Sequence, residues 1–174
     1  MTVEIRDAQQ ADLAPTLAIY NALIDTTTTA WTDRQQTLAE RAAWFEDQQR
    51  RNFPILVADD AGEIVGTASY GDFRDSRHWP GYRFTAEHSV HVRSDRRRAG
   101  IGRMLMDSLI DRARSNGIHV LVAGIDADNA DSIRFHEQLG FTVVARMPET
   151  GTKFARWLDL VLMQRILGER TPDA

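Results

Sequence analysis

The segment Arg97-Arg98-Ala99-Gly100-Ile101-Gly102 constrains this chain more than any other. Thr85 to Val92, just before it, reads as a strand. Gly100 to Asn116, which overlaps and follows it, places Ile101, Leu105, Leu109 and Ala113 on one helical face and is closed by Gly117. The segment is therefore a strand-to-helix turn. The first N–H groups of a helix have no intrahelical partner. Gly100 and Gly102 let a ligand approach the backbone closely. The helix dipole adds about 0.3–1 kcal/mol of attraction per well-placed negative charge. Arg93, Arg96, Arg97, Arg98 and Arg103 supply positive charge around the turn. The result is a ready anion site, able to hold a pyrophosphate. A plain tight turn, a solvated basic loop and a nucleic-acid contact compete with that reading. The third glycine of a dinucleotide fingerprint is replaced by Leu105, and Gly102 is followed by Arg103-Met104 rather than by the Lys-Ser/Thr of a Walker loop.

Composition narrows what surrounds this turn. The 174 residues suggest one domain, 1–174, with a sizeable core. A hydrophobic share of 43% and a charged share of 26% are ordinary for globular chains. A net charge of -4 argues against a surface devoted to nucleic acid. No cysteine is present, which removes disulfides, thiolate metal sites and a cysteine nucleophile. Neither a signal peptide nor an apolar run of roughly 18 residues is read, so a cytoplasmic, membrane-free setting is expected.

Further elements follow from pattern. Val3 to Arg6 is a short strand. Asp12 caps a helix with the stripe Leu13, Leu17, Tyr20 and Ile24. The polar β-branched run Thr26 to Thr29 ends it. Thr37-Leu38-Ala39-Glu40 is a capping box for a second helix carrying Leu38, Ala42 and Phe45. Pro54 to Asp59 and Ile64 to Tyr70 form a hairpin about Asp60-Ala61-Gly62. Gly71 to Phe84, rich in Arg, His and aromatics, is a loop or a partly ordered lid. His119 to Ile125 is a strand, Asn129 to Leu139 a helix closed by Gly140, and Phe141 to Ala145 and Phe154 to Met163 the last two strands. The chain should fray from Gly168. The order is β-α-α-β-β-β-α-β-α-β-β, with no repeat or linker.

The pattern R-x-x-G-x-G, after a strand and opening a helix, resembles the acetyl-CoA loop of the GNAT acyltransferases. The segment from Asn129 to Phe141 resembles their N-x-x-S-x-x-x-Y-x-x-x-G-F stretch, with His136 at the tyrosine position. Glu87-His88-Ser89-Val90-His91-Val92, Ala123 to Asn129 and Lys153 to Leu160 are similar, within that family, to the phosphinothricin and methionine sulfoximine/sulfone acetyltransferases. The resemblance implies an α/β (α+β) fold: a mixed, mostly antiparallel sheet of about six or seven strands with about four flanking helices, splayed between its two central strands.

What the resemblance implies about chemistry can be checked for physical sense. An amine attacks a thioester only when neutral. Deprotonating an α-amine with a pKa near 8 costs about 1 kcal/mol at pH 7, against roughly 4–5 for a lysine. A modest base therefore suffices, and Glu87 matches the family's glutamate, with or without an intervening water. Backbone groups of Val90, His91 and Val92 would pair with the pantetheine arm and polarise the thioester carbonyl. Arg97, Arg98, Ala99, Gly100, Ile101, Gly102 and Arg103 would hold the pyrophosphate. Asn129 would contact the cofactor and cap its helix. His136 would protonate the leaving thiolate or pack structurally. Phe73, Arg74, Asp75, Tyr82, Arg83, Thr85, Ala86, Glu87 and Lys153 would line the acceptor site, the cations serving a carboxylate and a sulfur or phosphorus head group.

The expected activity is transfer of acetyl from acetyl-CoA to the α-amine of a small amino acid, without a metal, by a homodimer that binds no nucleic acid. Another amine (a protein N-terminus, a lysine or a polyamine) and a non-catalytic acyl-CoA sensor remain as alternatives. The sensor would need the loop but not Glu87.

Overall fold

The computed structural model describes residues 3–168. The elements are β1 (Val3–Asp7), α1 (Leu13–Ile24), α2 (Leu38–Arg50), β2 (Ile55–Asp60), β3 (Glu63–Asp72), β4 (Thr85–Val92), α3 (Ile101–Ser115), β5 (Val120–Asp126), α4 (Ala130–Gln138), β6 (Thr142–Lys153) and β7 (Arg156–Ile166). All seven strands join one sheet in the order β1-β2-β3-β4-β5-β7-β6. Neighbours are antiparallel except β4 and β5, which run parallel. This is the mixed sheet with four helices that the resemblance implies. No helix among the described residues is long and apolar enough to cross a membrane.

Helices cover both faces, and β2 shows it. Its residues 55–58 are all buried, although strands with one wet face alternate. Leu56 and Ala58 belong to the large core with Leu105, Met106, Leu109 and Ile110 of α3. Ile55 instead meets Leu13 and Phe45, and Val57 meets Ile19, from α1 and α2. Gly66 lets α3 sit close on β3, since a Cβ there would lie 3.0 Å from Leu105 Cδ1 and 3.1 Å from the His91 carbonyl.

Three local expectations change. Asp12 does not cap α1 through its side chain. Its carboxylate accepts from Arg6 at 2.7 and 3.0 Å and from the Gln9 N–H at 2.7 Å, closing a 3₁₀ turn ahead of the helix. Arg6 supplies the largest part of the pull that lowers this carboxyl's pKa. In α2 the capping box forms as expected, Glu40 N–H to Thr37 Oγ1 and Thr37 N–H to Glu40 Oε2. The buried stripe, however, is Arg41, Phe45 and Gln48, while Leu38 is 52% exposed. Two polar residues on a buried helical line need a reason, which the site provides.

The last hairpin is longer than expected. β6 continues from Thr142 to Lys153 through two bulges, and Lys153 pairs with Arg156 across the two-residue turn Phe154-Ala155. Both turn residues have positive φ, 51° and 57°. That is the geometry of a two-residue hairpin turn usually marked by Asn-Gly. Without those residues the turn is invisible to pattern reading. Of the frayed end expected from Gly168, everything past Gly168 lies outside the described residues.

Candidate active site

β4 and β5 are joined only at Thr85–Val120, Ala86–Leu121 and Glu87–Val122. Beyond that, β4 stays with β3 up to Val92, while β5 stays with β7, to which it is paired from Val120 to Asp126. The sheet therefore opens into a V whose apex is Glu87. Along it, the edge of β4 that faces away from β3 has no strand partner.

Side chains alternate along β4. Ala86 and His88 are buried on the α3 side, and Val90 and Val92 pack against the core. Glu87, Ser89 and His91 point the other way, into a cavity of about 250 Å³ completed by Tyr20, Gln36, Arg41, Trp44, Gln48 and residues 67–71 of β3. Its size falls below the roughly 300–1,000 Å³ of drug-sized ligand sites. Glu87 is accessible along this groove, yet burial of its carboxyl among protein atoms raises its pKa. Across the V, a Cβ on Gly124 would lie 3.1 Å from Glu87 Oε1, so the absence of a side chain at 124 leaves room for the carboxylate.

The anion loop follows directly from the end of β4. Arg98 and Gly100 adopt left-handed φ of 63° and 78°, and α3 begins at Ile101. A Cβ on Gly102 would sit 3.7 Å from Val92 Cγ2, which places the helix start against the end of β4. The five arginines divide in two. Arg93 pairs with Glu63 and Asp95, Arg96 with Asp60, Glu63 and Asp95, and Arg103 with Asp107. Arg97 and Arg98 are exposed and form no ion pair among the described residues. Free positive charge at the helix start thus comes from these two.

Asn129 caps α4, its Oδ1 accepting from the Ser132 N–H at 3.1 Å. His136 is 4% exposed. Its Nδ1 lies 2.7 Å from the Ser132 carbonyl and its Nε2 lies 3.0 Å from Nε2 of His88. A carbonyl only accepts, so Nδ1 of His136 carries the hydrogen and Nε2 accepts from His88. Nδ1 of His88 is buried, and the Val122 backbone beside the ring favours its protonated form against the effect of burial. Burial lowers the pKa of both rings, that of His88 to about 3. Both nitrogens of His136 are therefore occupied.

The expected acceptor residues scatter. Phe73, Tyr82 and Arg74 form a surface stack, with ring centroids 6.0 Å apart and the Arg74 guanidinium 5.4 Å from the Tyr82 ring. Asp75 pairs with Arg77, and Arg83 lies over Phe84. Thr85 is paired to β5 and the methyl of Ala86 is in the core. Lys153 is 2% exposed, and its ammonium donates to the Thr27 and Ala30 carbonyls at 2.7 Å each. Of this set only Glu87 lines the cavity.

Sequence reading missed Arg41 and Gln36. Arg41 is 7% exposed. Its guanidinium lies 4.1 Å from the Trp44 ring and 5.8 Å from the Tyr20 ring, and it forms no ion pair or side-chain hydrogen bond among the described residues. Burial lowers its pKa to about 10. The signal was present in the sequence as a cation on the 41-45-48 stripe of α2.

Comparison with known proteins agrees with this geometry. The Acetyltransferase (GNAT) family matches residues 16–141. The L-methionine sulfoximine/L-methionine sulfone acetyltransferase of Pseudomonas aeruginosa is 51% identical over 165 residues, 94% of each chain. The structure of yncA from Salmonella typhimurium with its cofactor acetyl-CoA superposes with a TM-score of 0.95 at 46% identity, covering 100% of this chain and 99% of that one. A phosphinothricin acetyltransferase from Sinorhizobium meliloti in complex with acetyl-CoA has a TM-score of 0.92 at 34% identity, covering 98% of this chain and 91% of that one. The open V, the helix-start anion loop and these similarities together show that the chain belongs to the GNAT family of acetyl-CoA-dependent acetyltransferases.

Proposed function

We propose that the protein, acting as one catalytic domain over 1–174, transfers acetyl from acetyl-CoA to the α-amine of a small amino acid, with L-methionine sulfone and L-methionine sulfoximine ahead of phosphinothricin. The observation that carries this is the place of Glu87. It sits at the apex of the V, between an amino-acid-sized cavity and the strand edge that leads to the anion loop. The ranking of acceptors follows the identities of 51% and 34% to relatives named for them.

In this reading the loop at Arg97 to Gly102 holds the pyrophosphate. The open edge of β4 at Val90, His91 and Val92 takes the pantetheine amides. Glu87 removes a proton from the α-ammonium, directly or through water, and the neutral nitrogen attacks the thioester carbon. The C–S bond breaks as the nitrogen gives up its second proton, CoA leaves as the thiolate and takes up a proton from solvent, and the N-acetyl amino acid is released. No cysteine is present to carry the acetyl group, which supports transfer in a ternary complex. His136, with both nitrogens occupied, is given a structural part. Lys153 is given a clamping part, and the 73–84 segment an outer rim. A cytoplasmic setting stays within the same proposal.

The test is thiol release from acetyl-CoA against a panel of amines. Methionine sulfone and sulfoximine should give kcat/KM at least about tenfold above phosphinothricin, polyamines and lysine side chains, a difference of about 1.4 kcal/mol in transition-state binding. Tight CoA binding with no release for any amine would refute the enzyme reading.

The homodimer also belongs here. β6 is an edge strand with Val143, Val144 and Met147 exposed, and Phe154 and Trp157 lie exposed at the hairpin tip. Such edges are normally covered. Sedimentation should show a dimer at micromolar concentration; a monomer there would exclude it.

A further inference from the structure

Two residues that line the cavity, Arg41 and Gln36, each carry a buried side-chain atom without a partner, Nε and Oε1. One is a donor on a cation and the other an acceptor. A buried charge that nothing neutralises is costly, and so is a buried polar atom left unbonded. The two residues line one small cavity, which Glu87 lines as well.

The surroundings hold these groups in place. Arg41 lies against Trp44 and Tyr20, and Tyr20 meets His91 edge-on at 5.8 Å. Gln36 is held by its backbone. Its N–H donates to Asn21 Oδ1 at 3.0 Å, and its carbonyl accepts from Asn21 Nδ2 at 2.9 Å. Aromatic faces steady the guanidinium but cannot cancel its charge. Glu87 lines the same cavity, yet no ion pair to Arg41 forms among the described residues.

We infer that Arg41 binds the carboxylate of the acceptor. This rests on the reading of the cavity as the acceptor site. The guanidinium fork matches a planar carboxylate in two parallel hydrogen bonds. A sulfone oxygen is uncharged and would leave the cation uncompensated, so the carboxylate is the group assigned. The acceptor class is therefore free α-amino acids. Amines without a neighbouring carboxylate, such as polyamines, leave Arg41 unpaired. Arg74, stacked on Tyr82 outside the cavity, is not needed for this contact.

The experiment compares L-methionine sulfone with its carboxamide, in the wild type, Arg41→Gln and Arg41→Lys. The amide keeps the sulfone and the α-amine and removes the negative charge; because it also lowers the pKa of the amine, rates are compared per neutral amine. Wild type should prefer the acid by on the order of 100-fold in kcat/KM. Arg41→Gln should reduce that preference to within about threefold, raising the KM of the acid far more than it changes KM for acetyl-CoA or kcat/KM for the amide. Arg41→Lys should fall between, since it keeps the charge and loses the fork. Equal use of acid and amide by the wild type overturns the inference, whatever the variants do. So does an Arg41→Gln variant that loses acid and amide activity equally, as a merely structural residue would.

Ligand protection separates this from the activity itself. Methionine sulfone, and not its amide, should raise the melting temperature of wild type but not of Arg41→Gln. If no amine is acetylated while that difference holds, the transfer reading fails and the carboxylate site stands. If transfer occurs and neither melting temperature nor kcat/KM distinguishes acid from amide, the site fails and transfer stands.

Discussion

Glu87→Gln should lower kcat/KM for the amino acid by about 10²–10⁴-fold, the usual worth of a positioned general base. KM for acetyl-CoA should change little, because the anion loop and the β4 edge remain. Stability should hold or rise slightly. The sign follows from the raised pKa of Glu87. A carboxyl whose pKa is higher in the folded than in the unfolded chain destabilises the fold once it is ionised, and glutamine removes that effect. The pH profile adds a second signature. Wild-type kcat/KM should fall with acidity through a limb lying above the ordinary carboxylate range, since Glu87 must be ionised to accept a proton. The variant should lose that limb and keep the one due to the amine itself. Full activity of the variant at neutral pH would remove Glu87 from the chemistry.

The second large effect concerns Lys153, which the resemblance places in the substrate site and the structure sets among backbone carbonyls. Its ammonium joins the α1–α2 connection, at Thr27 and Ala30, to the end of β6. Two residues earlier, Gly151 lies under the Trp31 ring so closely that any Cβ would collide with it. The same connection ends at Gln36, in the cavity wall. Lys153→Met removes two charge-assisted hydrogen bonds and leaves two carbonyls wanting. With about 1.5–3 kcal/mol for each such bond and incomplete additivity, a loss of about 3 kcal/mol is expected. That corresponds to a drop in Tm on the order of 10 °C for a chain of this size. KM for the acceptor should rise as the connection loosens. Residues that merely line a site rarely cost stability when removed. An unchanged Tm with a selective rise in acceptor KM would return Lys153 to the substrate site.

These two residues mark how far the sequence could be read. The part given to Glu87 came from the family resemblance, whereas its surroundings were legible because they are local: a strand, a glycine turn and a helix within about 30 residues, each with its own pattern. The same holds for the capping box at Thr37 and for Asn129. Lys153 was not legible, since its partners lie more than 120 residues away and are backbone atoms without side-chain identity. The hairpin that carries it turns at Phe154-Ala155, where left-handed backbone occurs without a glycine or asparagine. Arg41 was half legible. The helix was found, but its stripe was taken through Leu38 and Ala42 because apolar residues were assumed to point inward. The five arginines near the loop could be counted in the sequence. Only the fold shows that Glu63, Asp60, Asp95 and Asp107 occupy three of them and leave Arg97 and Arg98 open.

The most direct measurement of the account is a single turnover with radiolabelled acetyl-CoA, protein in excess, and L-methionine sulfone. Label should pass from acetyl-CoA to N-acetyl-methionine sulfone in step with CoA release, with no label on the protein at any time. Label that accumulates on the protein before reaching the amino acid would contradict direct attack at the open V, and label that stays on acetyl-CoA would contradict the proposed acceptor.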